Sequence, residues 1–373
     1  MTLKRLSIQH LRNLQDVEIK PAEHVNLFYG ENGSGKTSVL EAISLLGLGR
    51  SFRSHKHKSL INYDQGAFTV FGRVNSDGTD TPLGINRKRN GEVSFKANGA
   101  TVASAAALAG YLPLQVINAD TFLLLEGSPK VRRQFIDWLV FHVEPRFFPV
   151  WKDLQRCLKH RNSVLRHDRI DRFELATWDQ ELIRLTELTH SFREACMQRF
   201  NHTFYRLIEE FPELQELGLS YYSGWDNQKN YNDVLEANFE RDRRQGYTQA
   251  GSHRADLQFE LKGMNAADLL SRGQQKLLIC ALKIAQGYLF NEMTGRKCIY
   301  LIDDLPAELD EKHRALLVNW LDAMSTQVFI TGVESDVLLS SWRSQPEVEL
   351  KMFHVEQGKI RVAFELPEVA TDK

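Results

Sequence analysis

The sequence predicts an α/β head interrupted by a helical arm, and three observations carry that prediction. Val25, Leu27 and Phe28 read as a buried strand that runs into a glycine-rich turn and then an apolar helix (Val39, Leu40, Ala42, Ile43, Leu45, Leu46). From about Ser128 the apolar residues recur at helical spacing for more than a hundred positions. After that, strand patterns return, with Leu257, Phe259 and Leu261 alternating and Cys298 to Ile302 forming a continuous apolar run. The expected division is therefore a split head, residues 1–127 and 246–373, with an inserted arm, residues 128–245.

Taken in order, residues 1–30 read as strand, turn, strand: Leu3, Leu6 and Ile8, a turn at Leu11-Arg12-Asn13-Leu14, then Val17 and Ile19. Residues 67–103 alternate in strand fashion, with Asn75-Ser76-Asp77-Gly78 and Arg89-Asn90-Gly91 supplying turns, which predicts an antiparallel meander. Leu112 to Ile117 is a further strand, ending at Asn118-Ala119-Asp120. In the arm, Phe135, Trp138, Leu139 and His142 lie at helical spacing; Trp151, Leu154, Leu158 and Leu165 follow expected breaks at Pro145 and Pro149. Trp178 through Ile208 mark a second long helix that ends before Pro212. The arm tip, His160 to Arg172, sets Arg161, Arg166, Arg169 and Arg172 against Asp168 and Asp171, and reads equally as a solvated tip or a contact surface. A third helix, Asn232 to Arg244, leads back to the head. Ser271 and Gln274 have the spacing of a capping box. The run Cys298–Ile302 suits a strand buried on both faces. Gln327 to Thr331 is another strand, and Lys351–Val355 with Lys359–Phe364 form a hairpin turned at Gln357-Gly358.

The glycine-rich turn carries the chemistry. Gly30-Glu31-Asn32-Gly33-Ser34-Gly35-Lys36-Thr37 has the G-x-x-x-x-G-K-[ST] spacing of a phosphate-binding loop. Glycines let successive backbone N–H groups turn inward around an anion, and the helix that follows from Ser38 points unpaired N–H groups at the same place. Lys36 reaches β- and γ-phosphates, and the Thr37 hydroxyl can ligate Mg²⁺. Asp303, at the end of an apolar strand, can face Thr37 and bind the same ion directly or through water. Asp304 is a candidate to orient or deprotonate an attacking water; the bland alternative is that the two acids cap the next helix. Ser271-Arg272-Gly273-Gln274 at a helix start is a second anion site.

Composition bounds the rest. Hydrophobic and charged fractions of 42% and 25% are those of a globular protein, and no apolar run approaches the ~20 residues of a membrane span. Cys157, Cys196, Cys280 and Cys298 show no C-x-x-C pairing, which suits buried thiols in a reducing cytoplasm. A net charge of −1 offers a polyanion no whole-chain attraction, so nucleic-acid binding requires local clusters. The loop with Arg50, Arg53, Lys56 and Lys58 is the first such cluster and reads either as a solvated surface or as the candidate DNA contact; the arm tip is the second.

The order of phosphate loop, LSRGQ, acidic strand end and Glu308-Leu309-Asp310 resembles ABC-type ATPase heads of the SMC-like group. LSRGQ is similar to the LSGGQ signature of that class, with Arg272 in place of a glycine. YGENGSGKTSVLEAI, GRSFR, GSPKVRRQFIDW, GSHRADL, LLSRGQQKLL and YLIDDLPAELD extend the likeness from about Leu6 to Lys359 and look like the RecF family of bacterial recombination mediators. The resemblance implies an ABC-type ATPase head with a helical arm inserted in it. ATP and Mg²⁺ would sit on Lys36, Thr37 and the loop backbone, with Asp303 as the metal carboxylate and Asp304 where many such heads have Glu, in keeping with slow hydrolysis. Ser271, with Gly273 and Gln274, would serve the γ-phosphate of a partner in an ATP-dependent homodimer. Arg12 and Asn13 match first-turn nucleotide contacts, and Asp120 lies near the magnesium side. Gly332 stands where transporter heads carry a histidine. The implied partners are double- and single-stranded DNA at gaps or junctions, RecR and RecO, and functionally RecA, in the cytoplasm with no membrane. The rivals are the ATPase subunit of a transporter, which Gly332 and the long arm oppose; a scaffold without turnover; and a small-molecule kinase, which leaves LSRGQ unexplained.

Overall fold

The computed structural model describes residues 1–54, 56–209, 211–305, 309–340, 342 and 348–366. His55 of the basic loop and Glu308 of the Glu308-Leu309-Asp310 motif lie outside the described residues. The chain divides into two compact units, Met1–Thr121 with Phe290–Lys373, and Phe122–Leu289.

The first unit opens with β1 (Thr2–Leu11), β2 (Leu14–Ile19), β3 (Val25–Tyr29) and α1 (Lys36–Leu48), followed by β4 (Ala67–Ser76), β5 (Thr79–Lys88), β6 (Val93–Ala97), β7 (Ala100–Val102), α2 (Ala105–Tyr111) and β8 (Leu114–Ile117). The second unit holds α3 (Leu123–Glu126), α4 (Pro129–Val143), α5 (Phe147–Val164), α6 (Arg172–Ile208), β9 (Leu217–Tyr222), α7 (Tyr231–Gln245), β10 (Asp256–Leu261), β11 (Met264–Asn265), α8 (Ala266–Leu269) and most of α9 (Arg272–Thr294). The chain then returns to the first unit with β12 (Ile299–Ile302), α10 (Glu311–Ala323), β13 (Val328–Gly332), α11 (Ser335–Ser340), β14 (Leu350–Glu356) and β15 (Lys359–Glu365).

Two six-stranded sheets build the first unit. The order β2-β1-β4-β5-β6-β7 is antiparallel throughout and contains the expected meander. The order β15-β14-β3-β13-β12-β8 is parallel except for β15 at one edge. Between them α1 is apolar on nearly every side, because Val39, Leu40, Ile43 and Leu46 share one core with Leu6, Ile8, Phe68 and Val70 of the first sheet and with Ile299 and Phe329 of the second. Gln327 is wholly buried and ties the sheets together: its amide donates to the Leu3 carbonyl at 3.1 Å and accepts from the Leu3 N–H at 2.7 Å. The register then fixes the site. Ile302 lies beside Ile330, and Gly332 beside Tyr29, so the carboxyl ends of β12, β13 and β3 arrive at one level. That end of a parallel sheet is where ligands bind.

In the second unit α5 and α6 pack through Leu154, Cys157 and Leu158 against Leu182 and Leu185. Pro149, expected to break the helix, sits in the first turn of α5, where its missing N–H has no intrahelical partner to lose. Arg161, grouped with the arm-tip cations from sequence, is fully buried: it donates to Asp179 at 2.5 Å, to Asp242 at 2.8 Å and to the Thr248 hydroxyl at 2.9 Å. A buried guanidinium survives only with such partners.

The division differs from the expected boundaries in residues 122–127 and 246–289, which fall with the arm helices. The cause is a set of interlocks between two of the motif stretches. Arg132 of GSPKVRRQFIDW pairs with Asp256 of GSHRADL, and Arg133 donates to the Ala255 carbonyl at 2.9 Å. Arg193 on α6 makes two bonds to Asp137 and a third to the Ser252 carbonyl at 2.6 Å. Strand β10 also pairs with β9, not with either sheet of the first unit.

Candidate nucleotide site

The phosphate loop leaves β3 at Gly30 and enters α1 at Lys36. Gly30, Gly33 and Gly35 have φ of +147°, +81° and +120°, and a Cβ on Gly30 would stand 2.2 Å from the Val355 carbonyl oxygen. The turn therefore requires glycine there both for its backbone angle and for space. Asn13 fixes the loop from outside: its amide donates to the carbonyls of Gly33 at 3.2 Å and Ser34 at 2.9 Å. No side chain caps the start of α1, which leaves its first N–H groups directed into the loop. The Ser34 hydroxyl is buried with no hydrogen-bond partner among the described residues. A cradle of backbone donors with one orphaned hydroxyl fits a phosphate chain.

Lys36 folds back over the loop and donates to the carbonyls of Gly30 at 2.6 Å and Glu31 at 2.8 Å. Burial pushes its ammonium below the ordinary lysine value, and the carboxylates of Asp304 and Asp303 push it back up. Asp303 and Thr37 meet as the sequence predicts, with the Thr37 hydroxyl donating to Asp303 Oδ1 at 2.8 Å. A second hydroxyl, Thr331 at the end of β13, donates to the same oxygen at 2.8 Å and accepts the Asp304 N–H at 2.8 Å. Burial raises the Asp303 carboxyl above its ordinary value; the Thr331 and Thr37 hydroxyls and the Arg53 charge oppose that rise, and Asp304 adds to it. Asp304, two residues past the end of β12, has φ of +55°, a left-handed backbone conformation. No cluster of three or more His, Cys, Asp or Glu side chains suited to a metal occurs among the described residues. The Thr37–Asp303 pair fits an ion that takes most of its ligands from phosphate and water, as Mg²⁺ does.

Arg12, in the β1–β2 turn, is held by a buried carboxylate that the sequence reading missed. Glu41 on α1 accepts from Arg12 Nη2 at 2.8 Å, from Arg12 Nε at 3.1 Å and from the Ser51 hydroxyl at 2.5 Å. Its signal in the sequence is a single charge inside an apolar helix face. The cavity above the loop, about 940 Å³, is lined by residues of the loop, by Arg12, Asn13, Asp303, Asp304 and Thr331, and by Arg53 and Lys58. Two of the four cations assigned to DNA thus line the nucleotide cavity itself, while Arg50 and Lys56 are exposed and do not.

The family model described as RecF/RecN/SMC N terminal domain matches residues 2–361. The DNA replication and repair protein RecF of Cellvibrio japonicus is 64% identical over 361 residues, covering 96% of this chain and 99% of that protein. The chain belongs to the RecF family. A second RecF, from Pseudomonas aeruginosa strain LESB58, is 50% identical over 96% of this chain and 97% of its own length. Among solved structures, the recombination mediator protein RecF with ATP in the RecFOR pathway superposes with a TM-score of 0.85 at 25% identity, covering 97% of this chain and 98% of that one. An Smc head bound to the C-winged helix domain of ScpA matches at a TM-score of 0.56 and 14% identity, over 98% of each chain, and shares the fold. The RecF-family chain is therefore an ABC-type ATPase head with an inserted helical arm, as expected. No helix among the described residues is long and apolar enough to cross a membrane.

Ser271 is exposed at the start of α9 in the second unit, where the capping box forms as predicted: Gln274 Oε1 accepts the Ser271 N–H at 2.9 Å and Ser271 Oγ accepts the Gln274 N–H at 3.3 Å. Gly273 follows in its first turn. Asp120 is exposed beyond β8 and does not line the cavity. Gly332 ends β13, and a Cβ there would sit 2.9 Å from Leu338, so a histidine would displace that side chain. All four cysteines are buried thiols.

Proposed function

We propose that this RecF-family chain is an ATP-dependent DNA-binding recombination mediator in which nucleotide joins two copies and hydrolysis releases them. The observation that carries the reading is Asp303, held between the Thr37 and Thr331 hydroxyls at a phosphate loop whose Ser34 hydroxyl has no partner among the described residues. Lys36 exchanges its two loop carbonyls for phosphate oxygens, with the loop backbone from Gly30 to Ser38 around the chain, Glu31 and Asn32 at its rim, and Arg12 and Asn13 beside it. Thr37 and Asp303 would hold Mg²⁺, which when bound neutralises charge between the β- and γ-phosphates. Asp304 orients the attacking water; its side chain is shorter than glutamate, which suits slow turnover that DNA accelerates. Ser271, Gly273 and Gln274 face the γ-phosphate of the partner copy.

Two copies joined through two nucleotides are stabilised by mass action at saturating ATP. The dimer engages DNA at single-strand gaps and junctions in the cytoplasm, works with RecR and RecO, and helps RecA load. The test is sizing the purified chain with and without Mg²⁺–ATP and gapped DNA. ATP shifts the wild type to a dimer, and Lys36→Met stays monomeric with its fold intact. A Lys36→Met variant that dimerises with ATP refutes the reading.

A further inference from the structure

Tyr63 projects from the segment after the basic loop and is 91% exposed, without a ring contact or side-chain hydrogen bond among the described residues. A solitary exposed tyrosine is ordinary on a protein surface. This one differs in two ways. It is the single aromatic among the described residues that line the nucleotide cavity. It also stands on a segment held far more firmly than an exposed loop tip requires. Ile61 bridges to Leu11, and the Asn62 amide donates to the Arg12 carbonyl at 2.9 Å. The guanidinium of Arg89, on the β5–β6 turn, donates to the carbonyls of Asn62, Tyr63 and Gln65, each at 2.9 Å, and again to Gln65 at 3.1 Å. Three carbonyls of one tight loop converge on one guanidinium, which fixes the direction in which the Tyr63 side chain leaves the backbone.

We propose that Tyr63 is the stacking platform for the nucleobase of the bound nucleoside triphosphate and that Arg89 is the residue that positions it. The inference rests on the ATP reading above. The loop and Lys36 fix the phosphate end, and the sugar and base must extend along the rest of the same cavity, where the flat apolar partner on offer is the phenol ring. Tyrosine suits this task, since it loses only two side-chain torsions when ordered. Stacking of one base on one aromatic ring accounts for a roughly 5- to 150-fold change in affinity on replacement by alanine.

The experiment titrates the full chain calorimetrically, in Mg²⁺, with ATP and separately with inorganic tripolyphosphate. Tyr63→Ala weakens ATP by that factor and leaves tripolyphosphate unchanged; Tyr63→Phe keeps both. Arg89→Gln weakens ATP in the same selective way, a split that a general loss of structure does not produce. Photolabelling with 8-azido-ATP places the label on the peptide that contains Tyr63. If Tyr63→Ala binds ATP as tightly as wild type, or loses ATP and tripolyphosphate equally, the stacking role is wrong while the ATP site stands. If the wild type binds neither ligand, the ATP reading itself fails and takes this one with it.

Discussion

Thr331 was invisible as a site residue in the sequence, and its replacement is the sharpest test of the geometry around Asp303. The side chain is 1% exposed and makes two bonds, donating to the Asp303 carboxylate and accepting the Asp304 N–H, each at 2.8 Å. Thr331→Val preserves shape and removes both. A hydrogen bond to a charged group contributes about 1.5–3 kcal/mol and a neutral one about 1 kcal/mol, so the variant should lose about 2.5–4 kcal/mol. In a unit of roughly 200 residues that corresponds to a fall of about 5–15 °C in melting temperature. Thr331→Ser keeps the hydroxyl and should lose under about 1.5 kcal/mol. The loss should also depend on pH. Burial already raises the Asp303 carboxyl, so the native state holds a proton at pH values where the unfolded chain has released it, and stability falls as pH rises through that window and then levels. Removing the Thr331 donor raises the native value further. The gap between wild type and Thr331→Val should therefore be small in acid and full at neutral pH. Thermal melts from pH 4 to 8, with Mg²⁺ titrations of ATP binding beside them, measure both effects. A neutral-pH melting temperature within 1 °C of wild type, or equal losses for Val and Ser, would show that the Thr331–Asp303 bond does not support the site.

Three further outcomes follow from the same geometry. Asp304→Asn keeps the shape at the strand end but removes the base, and should accumulate ATP-bound dimers on DNA with little turnover, whereas Asp303→Asn should weaken Mg²⁺–ATP engagement; equal loss of ATP-dependent dimerisation in both, followed by light scattering, contradicts that division. Ser271→Arg should bind ATP yet fail to dimerise, and mixing it with Lys36→Met should restore at most one working site per dimer, so normal hydrolysis by Ser271→Arg alone ends the trans assignment. The basic loop should separate by position: Arg50→Ala with Lys56→Ala should flatten the slope of log DNA affinity against log salt by about 1.8 on duplex DNA with ATP affinity intact, while Arg53→Ala should weaken ATP itself, and fluorescence titrations over a salt series distinguish the two.

The sequence by itself determined the phosphate loop, the strand before it and the helix after it, because that turn is a local structure whose glycines, lysine and hydroxyl lie within eight consecutive residues. It also determined the capping box at Ser271 and Gln274, another local device, and the buried strand ending in Asp303, since a run without polar residues has few other places to go. The partnership of Thr37 with Asp303 could be anticipated because a known chemistry requires it. Tertiary structure alone decided the rest. Thr331 reaches Asp303 only because β12 and β13 pair in one register, and two strands buried on both faces read as continuous apolar runs that carry no mark of it. Arg161 looked like a surface cation because its neighbours in sequence are charged, yet Asp242, which holds it, is 81 positions away. Arg53 and Lys58 read as a basic patch in one dimension and line a cavity in three, since exposure and direction are set by how the loop packs and not by composition. The arm boundary shifted for the same reason: Arg132, Arg133 and Arg193 bind groups at Ser252, Ala255 and Asp256, and pairings across so long a stretch of chain have no periodicity to betray them.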